Sequence, residues 1–516
     1  MFDVLIVGGG PVGIFLACEL KLAGAEPVVV ERLPEINQGD KAHGLTGQVV
    51  RLLDHRGLFQ KCSGTPVPSP APAFFFGALP LPLHVLGDDN PMYLLPINQR
   101  DLERVLNERA AELGVDIRRG CDMRTFEQYD DHVEALVTTP DGNESALTAR
   151  YLVGSDGARS AVRKQSGIGF PGFTDRRIVD RTALIAPSEQ FTSAGPGLVH
   201  VRGLGTIPEA FHRTEQGVLT IAMRDPKRPL VYTAEWEDHP DENYPGPGKP
   251  MTLAEMEASI ERVLGIAVTL SPPPEGAPTL LRRLSGRNTR VADRYRDRRV
   301  FLVGDAAHVH SAAGGPGLNL ALQDAANLAW KLGAELHGWA PESLLDTFET
   351  ERHPLGRRVF MQTQAQTALM SPGSDVTALR TLFAEFLGDR GNVRRIADLL
   401  AGSDVPYDMG ADTLSDVVGW FAPSMSLTLA DGRPVRLPEL LRDAQPVLIH
   451  PAQDEKFERA LRPWSDRVTA AAVQRAEGAE AMLIRPDGYV AWAGTHIDSL
   501  EHSLKRWFGA PTTRTR

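Results

Sequence analysis

Two glycine-led segments carry the chemistry of this chain. The apolar run Val4-Leu5-Ile6-Val7 ends in a Gly8-x-Gly10-x-x-Gly13 turn, and Arg299-Val300-Phe301-Leu302-Val303 ends in Gly304-Asp305-Ala306-Ala307-His308. The first arrangement suits a dinucleotide. Its first glycine permits a tight turn, the second lets the backbone approach a pyrophosphate, and the third lets a helix pack closely on a strand. Pro11 and Val12 complete the turn and are counted with the phosphate cradle. The helix that starts there offers free N–H groups and a partial positive charge to phosphates. Val28-Val29-Val30 predicts the next strand, which ends at Glu31 and Arg32. A carboxylate at that strand end accepts both ribose hydroxyls and favours an unphosphorylated adenosine ribose.

The second segment places Asp305 at the carboxyl end of a strand, where open α/β sheets bind ligands. There it accepts hydrogen bonds from the hydroxyls of a ribityl chain. Gly314-Gly315-Pro316-Gly317 then leads into a helix pattern with Leu318, Leu322, Ala325, Leu328, Ala329 and Leu332 on one face. The positive end of that helix favours the negative charge of a reduced flavin near N1 and O2. A dinucleotide held from both ends, with a ribityl chain at one of them, points to FAD. His308 and His310 lie two apart with no Cys, Asp or Glu ligand beside them, so no metal is expected.

Further motifs stand between these two. They are Lys41-Ala42-His43-Gly44-Leu45 ahead of Leu52-Leu53-Asp54-His55-Arg56-Gly57-Leu58, then Gln99-Arg100-Asp101-Leu102-Glu103, then Tyr151-Leu152-Val153-Gly154-Ser155-Asp156-Gly157-Ala158-Arg159-Ser160. The distal segment continues through Gly317-Leu318-Asn319 to Gln323-Asp324-Ala325. In order and spacing these motifs resemble those of the single-component (class A) flavoprotein aromatic hydroxylases. The likeness is strongest to the bacterial group acting on aromatic polyketides, which includes the rifampicin monooxygenases. It covers most of residues 1–370.

The resemblance implies roles position by position. Gln99 contacts the ribityl–pyrophosphate region, Asp156 and Gly157 belong to the motif tied to FAD and NADPH, and Asp305 binds the ribityl chain. Gly317, Leu318 and Asn319 lie against the isoalloxazine ring. Lys41 stands where the family usually has arginine, so a bidentate fork becomes a point charge. Ala312 replaces a usual proline. Pro316 replaces a usual glutamine but suits the first position of a helix.

The implied activity is an FAD-dependent, NAD(P)H-consuming monooxygenase. It hydroxylates a polycyclic aromatic, polyketide-type substrate through a flavin C4a-hydroperoxide, as in antibiotic biosynthesis. NADPH, or NADH, binds transiently, because no second Gly-x-Gly-x-x-Gly unit is present to hold it. The alternatives are Baeyer–Villiger insertion, rifampicin-type inactivation of an antibiotic, and a flavin-bound scaffold without activity. No catalytic residue is assigned: His200, Arg202, His212, Arg213 and Arg224 read as solvated or structural.

The expected fold is α/β, in three parts. A Rossmann-type, glutathione-reductase-like FAD-binding domain is built from 1–70, 95–175 and 280–370. An antiparallel substrate-binding sheet takes 71–94 and 176–279, and 371–400 is a helical linker. A thioredoxin-like α/β domain without cysteine spans 401–516. Phe74-Phe75-Phe76 is read as a wall of the substrate pocket. A long helix is expected from Leu344 to Ala368, kinked or broken at Pro354, and a further helical stretch from Ala378 to Leu400. The 516 residues are 42% hydrophobic, enough for sizeable cores, and a net charge of −11 argues against a nucleic-acid partner. Cys18, Cys62 and Cys121 form no disulfide pattern, which fits a reducing cytoplasm. No apolar run is long enough to span a membrane, and the protein is expected as a monomer or homodimer.

Overall fold

A computed structural model describes residues 1–36, 43–223, 225–237, 250–277, 279–311, 314–341, 343–410, 415–474 and 480–512. The first strand, Phe2–Val7, lies inside a mostly parallel sheet. Pro27–Glu31 flanks it on one side, followed by Asp116–Arg119. Glu144–Gly154 flanks it on the other, followed by Val300–Leu302. Val4, Leu5, Ile6, Val28 and Val29 have no exposed surface. Burial on both faces is why these strands read as continuous Val/Ile/Leu runs rather than alternating ones. The register pairs Val7 with Gly154 and Gly154 with Leu302, so the three strand ends that lead to Gly8, Ser155 and Gly304 share one edge.

Two helices rise from that edge, Pro11–Leu22 and Pro316–Leu336. The second helix packs close to the end of the first. A Cβ at Gly333 would lie 2.6 Å from that of Ala23, so only glycine allows the approach.

The middle of the chain forms a six-stranded antiparallel sheet. Its order is His212–Arg213, Gly217–Ala222, Leu230–Trp236, Gly172–Leu184, Leu281–Val291 and His308–Val309. The last strand follows directly on Asp305-Ala306-Ala307, which joins this sheet to the parallel one. Helix Leu253–Leu264 starts under a Thr252 cap and covers one face of the sheet. On that face Arg181, Ala183, Ile221, Val231, Thr233 and Glu235 are buried. On the opposite, inner face Asp180, Thr182, Leu184, Thr220, Leu230 and Tyr232 all keep partial exposure. Phe191–Gly195, Leu198–Val201 and Gly205–Pro208 form a small sheet that the sequence reading missed. Phe191, Val199 and Ile207 share a core with the covered face.

Phe74–Phe76 is a strand, paired with Leu79–Leu81. The Ala378 to Leu400 stretch is two helices, Ser374–Phe386 and Arg390–Ala401. The Asp389 side chain caps the second by accepting from the Asn392 N–H. Phe76, Leu81, Val393 and Leu400 pack in one core.

Of the expected kink or break at Pro354, the break does not occur: helix Asp346–Met370 runs on through the proline. A proline removes one helix hydrogen bond, but long-range ion pairs fix the turn before it. Arg352 donates to Asp324 at 2.7 Å, and Arg485 donates to Glu351 at 2.7 Å.

The C-terminal sheet has the order Thr469–Val473, Val447–Pro451, Ala481–Ile484, Val490–Gly494. The first pair is parallel and the others antiparallel. Helices Glu455–Leu461 and Ile497–Phe508 accompany it. The turn of its last hairpin reaches into the rest of the molecule. Arg485 meets Glu351, Asn327 donates to Asp487 at 2.9 Å, and Lys331 donates to Glu351 at 2.7 Å. Among the described residues, no helix is long and apolar enough to cross a membrane.

Candidate functional site

The N-terminal turn is latched by its neighbours. Gly8 has φ of 110°, where glycine is favoured. A Cβ there would lie 2.4 Å from the Ser155 carbonyl oxygen, and one at Gly13 would lie 2.0 Å from that of Gly8. The Ser155 hydroxyl donates to the Gly8 carbonyl at 2.7 Å and to that of Val7 at 3.1 Å. Gly10, by contrast, faces open space, with nothing within 4 Å of where a Cβ would be. The helix begins at Pro11 with no side-chain cap, so its first-turn N–H groups are available to a ligand. Val12 borders the turn. Glu31 ends its strand with both oxygens oriented by the backbone: Gly9 N–H donates to one at 2.6 Å and Leu33 N–H to the other at 2.8 Å. Each oxygen retains a lone pair for a ribose hydroxyl. Arg32 is exposed beside it.

The distal segment arrives at the same place. A Cβ at Gly304 would lie 3.4 Å from the Val12 methyl groups, so the two glycine segments touch. Asp305 is exposed at this junction. The second helix also starts uncapped, with Gly315 at φ of 65° and Pro316 in its first turn, and Gly317 again faces open space. Leu318 packs against the core. The Asn319 amide is engaged by Thr46, accepting from its N–H at 3.0 Å and donating to its hydroxyl at 2.7 Å. Asp156 accepts from Ala161 N–H at 2.6 Å and Val162 N–H at 3.2 Å through one oxygen. Its other oxygen is buried without a partner, and burial pushes the carboxyl up. Gly157 faces open space at φ of 80°. Gln99 donates to Glu103 within its own helix at 2.7 Å. Lys41, Ala312 and Arg224 lie outside the described residues.

Asp324, quoted in the sequence without a role, supports the distal loop. It accepts from Arg352 at 2.7 Å, and its other oxygen meets His308 Nε2 at 2.6 Å. Burial alone would raise this carboxyl, but Arg352 and His308 outweigh it and hold it low. His308 and His310 stack with ring centroids 5.2 Å apart. The described residues hold no cluster of three or more metal-ligating side chains.

Two uncapped helix N-termini face this junction, which also holds an oriented strand-end carboxylate and a buried unpartnered one. Gly10, Gly157 and Gly317 leave it room. This set fits a dinucleotide with a ribityl arm. A cleft of about 620 Å³ opens nearby, bordered by Arg100, Arg104, Arg228, Leu184 and Leu230.

Residues 1–363 match the FAD binding domain family, and residues 415–511 match the aromatic-ring hydroxylase C-terminal family. The chain is 37% identical over 527 residues to 12-dehydrotetracycline 5-monooxygenase/anhydrotetracycline 6-monooxygenase of Streptomyces rimosus, covering 99% of each chain. It is 35% identical over 514 residues to a rifampicin monooxygenase of Rhodococcus hoagii, covering 99% of this chain and 98% of that one. The solved structure of the anhydrotetracycline hydroxylase OxyS from Streptomyces rimosus superposes with a TM-score of 0.84 at 35% identity, covering 99% of this chain and 100% of that one. With both family matches and these full-length relatives in agreement with the cradle geometry, the chain belongs to the FAD-dependent aromatic-ring hydroxylases, flavoprotein monooxygenases that consume NAD(P)H.

Proposed function

We propose that this enzyme hydroxylates a polycyclic aromatic compound of the polyketide type, held between the inner face of the six-stranded sheet and the FAD cradle. The supporting observation is the contrast between the two faces of that sheet. One is sealed by a helix; the other packs against Met370 at Val218 and Ala234, keeps partial exposure beyond them and carries aromatic rings. Phe75 lies edge-on to Phe211 at 4.9 Å between centroids, and Phe211 to Tyr232 at 6.4 Å. Phe74 stacks on Phe75 at 4.4 Å, which supports the reading of this triplet as a pocket wall, although Phe76 turns into a core of its own.

When bound, FAD supplies the redox chemistry: it takes a hydride from NAD(P)H and activates O₂ so that one oxygen atom reaches the substrate. The chain's own residues bind and orient. Gly8, Gly10, Pro11, Val12 and Gly13 cradle the pyrophosphate and Glu31 takes the adenosine ribose, with Arg32 beside it; the expected part of Lys41 falls outside the described residues. Gln99, Asp156, Gly157, Gly304 and Asp305 hold the ribityl side, and Pro316 to Asn319 present a helix N-terminus to the ring. We read 1–70, 95–175 and 280–370 as the FAD-binding unit and 71–94 with 176–279 as the substrate-binding unit. Residues 371–400 join them to a thioredoxin-like unit spanning 401–516. The parallel–antiparallel strand order of the C-terminal sheet supports that last assignment. Cytoplasmic location and a monomer or homodimer complete the reading, the former supported by three free cysteines.

The test is Asp305→Ala in purified protein. FAD retention is expected to fall at least tenfold, with a matching loss of NAD(P)H-dependent oxygen uptake. A variant that keeps its full flavin content would contradict the assigned role. Solving the product's carbon skeleton separates hydroxylation from ring-oxygen insertion, since both add one oxygen atom.

A further inference from the structure

The inner face of the six-stranded sheet carries a polar row that the cofactor site does not use. Thr220 pairs with Tyr232, Tyr232 with Thr182, and Thr182 with Arg282, so these four residues cross four neighbouring strands in one line. The next row on one side is apolar, with Ala222, Leu230 and Leu184 in register. The 620 Å³ cleft borders that apolar row. On the other side, Asp180 sits one step along from Thr182. The Tyr232 hydroxyl donates to Asp180 at 2.5 Å. Arg287 donates to the Tyr232 oxygen at 2.6 Å and to the second Asp180 oxygen at 2.9 Å.

Two facts mark this row as incomplete. First, a phenolic oxygen that donates once and accepts once keeps a further lone pair, and Tyr232 is in that state. Second, Thr220 Oγ1 and Arg282 Nε are buried with no hydrogen-bond partner. A folded protein satisfies nearly all its buried polar groups, so two orphans in one row need an explanation. The covered face of the same strands has its partners: Arg181 meets Glu235 at 2.6 Å, and Thr233 meets Ser259 at 2.7 Å. Arg287 also reaches the Ser311 hydroxyl at 3.4 Å, just ahead of the glycines that open the second uncapped helix. The row therefore adjoins the loop beside the proposed flavin position.

We propose that Tyr232, held by Asp180 and Arg287, accepts a hydrogen bond from a phenolic hydroxyl of the substrate, while Arg282 Nε–H donates to a carbonyl oxygen farther along the same ring system. Tyr232 and Arg282 stand two strands apart, roughly 10 Å at ordinary strand spacing. A fused polycyclic skeleton bridges that span and a single ring does not. This assignment rests on the polycyclic-aromatic reading above and adds the residues that recognise it.

The experiment uses FAD-loaded protein and two probes of nearly equal size, 2-hydroxyanthraquinone and 2-methylanthraquinone, with dissociation constants from calorimetry. Wild type is expected to favour the hydroxylated probe by about fivefold to tenfold, the value of one good hydrogen bond. In Tyr232→Phe and Asp180→Asn that preference falls to near one, while affinity for the methyl probe changes less than twofold. Arg282→Met weakens both probes alike, since both retain the quinone carbonyls. Asp180→Asn leaves the tyrosine ring in place and decides the matter if Tyr232→Phe does not fold. Variants that keep the wild-type preference, or that lose both probes equally at positions 232 and 180, overturn the assignment alone. Failure of wild type to bind either probe overturns it together with the polycyclic reading.

Discussion

Asp180 and Arg181 are neighbours on one strand and point to opposite faces, and their surroundings differ in one respect. Arg181 lies under the helix with 3% of its side chain exposed and meets Glu235 at 2.6 Å, Glu255 at 3.0 Å and Glu237 at 3.2 Å. Glu235 in turn takes Ser259 at 2.5 Å and Arg262 at 2.7 Å. Each of these charged groups has a partner. Asp180 has similar chemistry around it in Tyr232 and Arg287, and its side-chain exposure of 16% is no greater than that of Glu255 at 21% or Glu237 at 25%, so the difference lies in the neighbouring row. The adjoining row holds two buried atoms without a partner, Thr220 Oγ1 and Arg282 Nε. The same residue types hold the sheet to its helix on one face; on the other they stand beside polar atoms that are still unpaired.

The largest effect should come from breaking the Arg181 cluster. Arg181→Met takes the buried arginine away from Glu235, Glu255 and Glu237 and is expected to cost about 3–5 kcal/mol in urea unfolding, with the probe preference of surviving folded protein unchanged. A change in that preference would erase the distinction between the two faces.

A second cluster, at Glu351, sharpens the point through acid. Burial alone would push this carboxyl up, yet Arg485 and Lys331 outweigh it and hold it down at about 2. A carboxylate depressed in the folded state contributes stability above its ordinary range near 4.5 and loses it as pH falls toward about 2. The expected loss across that window is about 3 kcal/mol. Unfolding curves for wild type and Glu351→Gln should diverge in slope over the window; parallel slopes would place the stabilisation elsewhere. The smallest effect belongs to Arg262, half exposed at 52% although it pairs with buried Glu235. Arg262→Ala should cost less than about 1 kcal/mol, and a larger value would mean that Glu235 depends on both arginines.

The cradle was legible because its signals are local. Gly8, Gly10, Gly13 and Glu31 fall within one strand–helix–strand unit, and the distal Gly304-Asp305 pair ends an unmistakable apolar run. The inner-face triad was not legible. Asp180 and Tyr232 are 52 residues apart and Asp180 and Arg287 are 107 apart, so only strand register brings them together. The sheet from Phe191 to Pro208 was missed because its strands are short and punctuated by Gly195, Gly197, Gly203 and Gly205, all at positive φ. At Pro354 the local rule allows a kink or a break, and the helix is continuous there, with distant partners holding Glu351 and Arg352 in the turn before it. Asp324 carried no signal of its own, since its worth lies in His308 and Arg352.

The hairpin turn at Arg485 and Asp487 has a bearing on how such enzymes diversify. Grafting a foreign tail that lacks an arginine at this turn would leave Glu351 without its strongest counter-charge and Lys331 in a dry interior, and folding would suffer before any new specificity was tried. Successful chimeras must therefore carry both sides of the junction together, and lineages should inherit the tail and the two helices bearing Lys331 and Glu351 as a single piece.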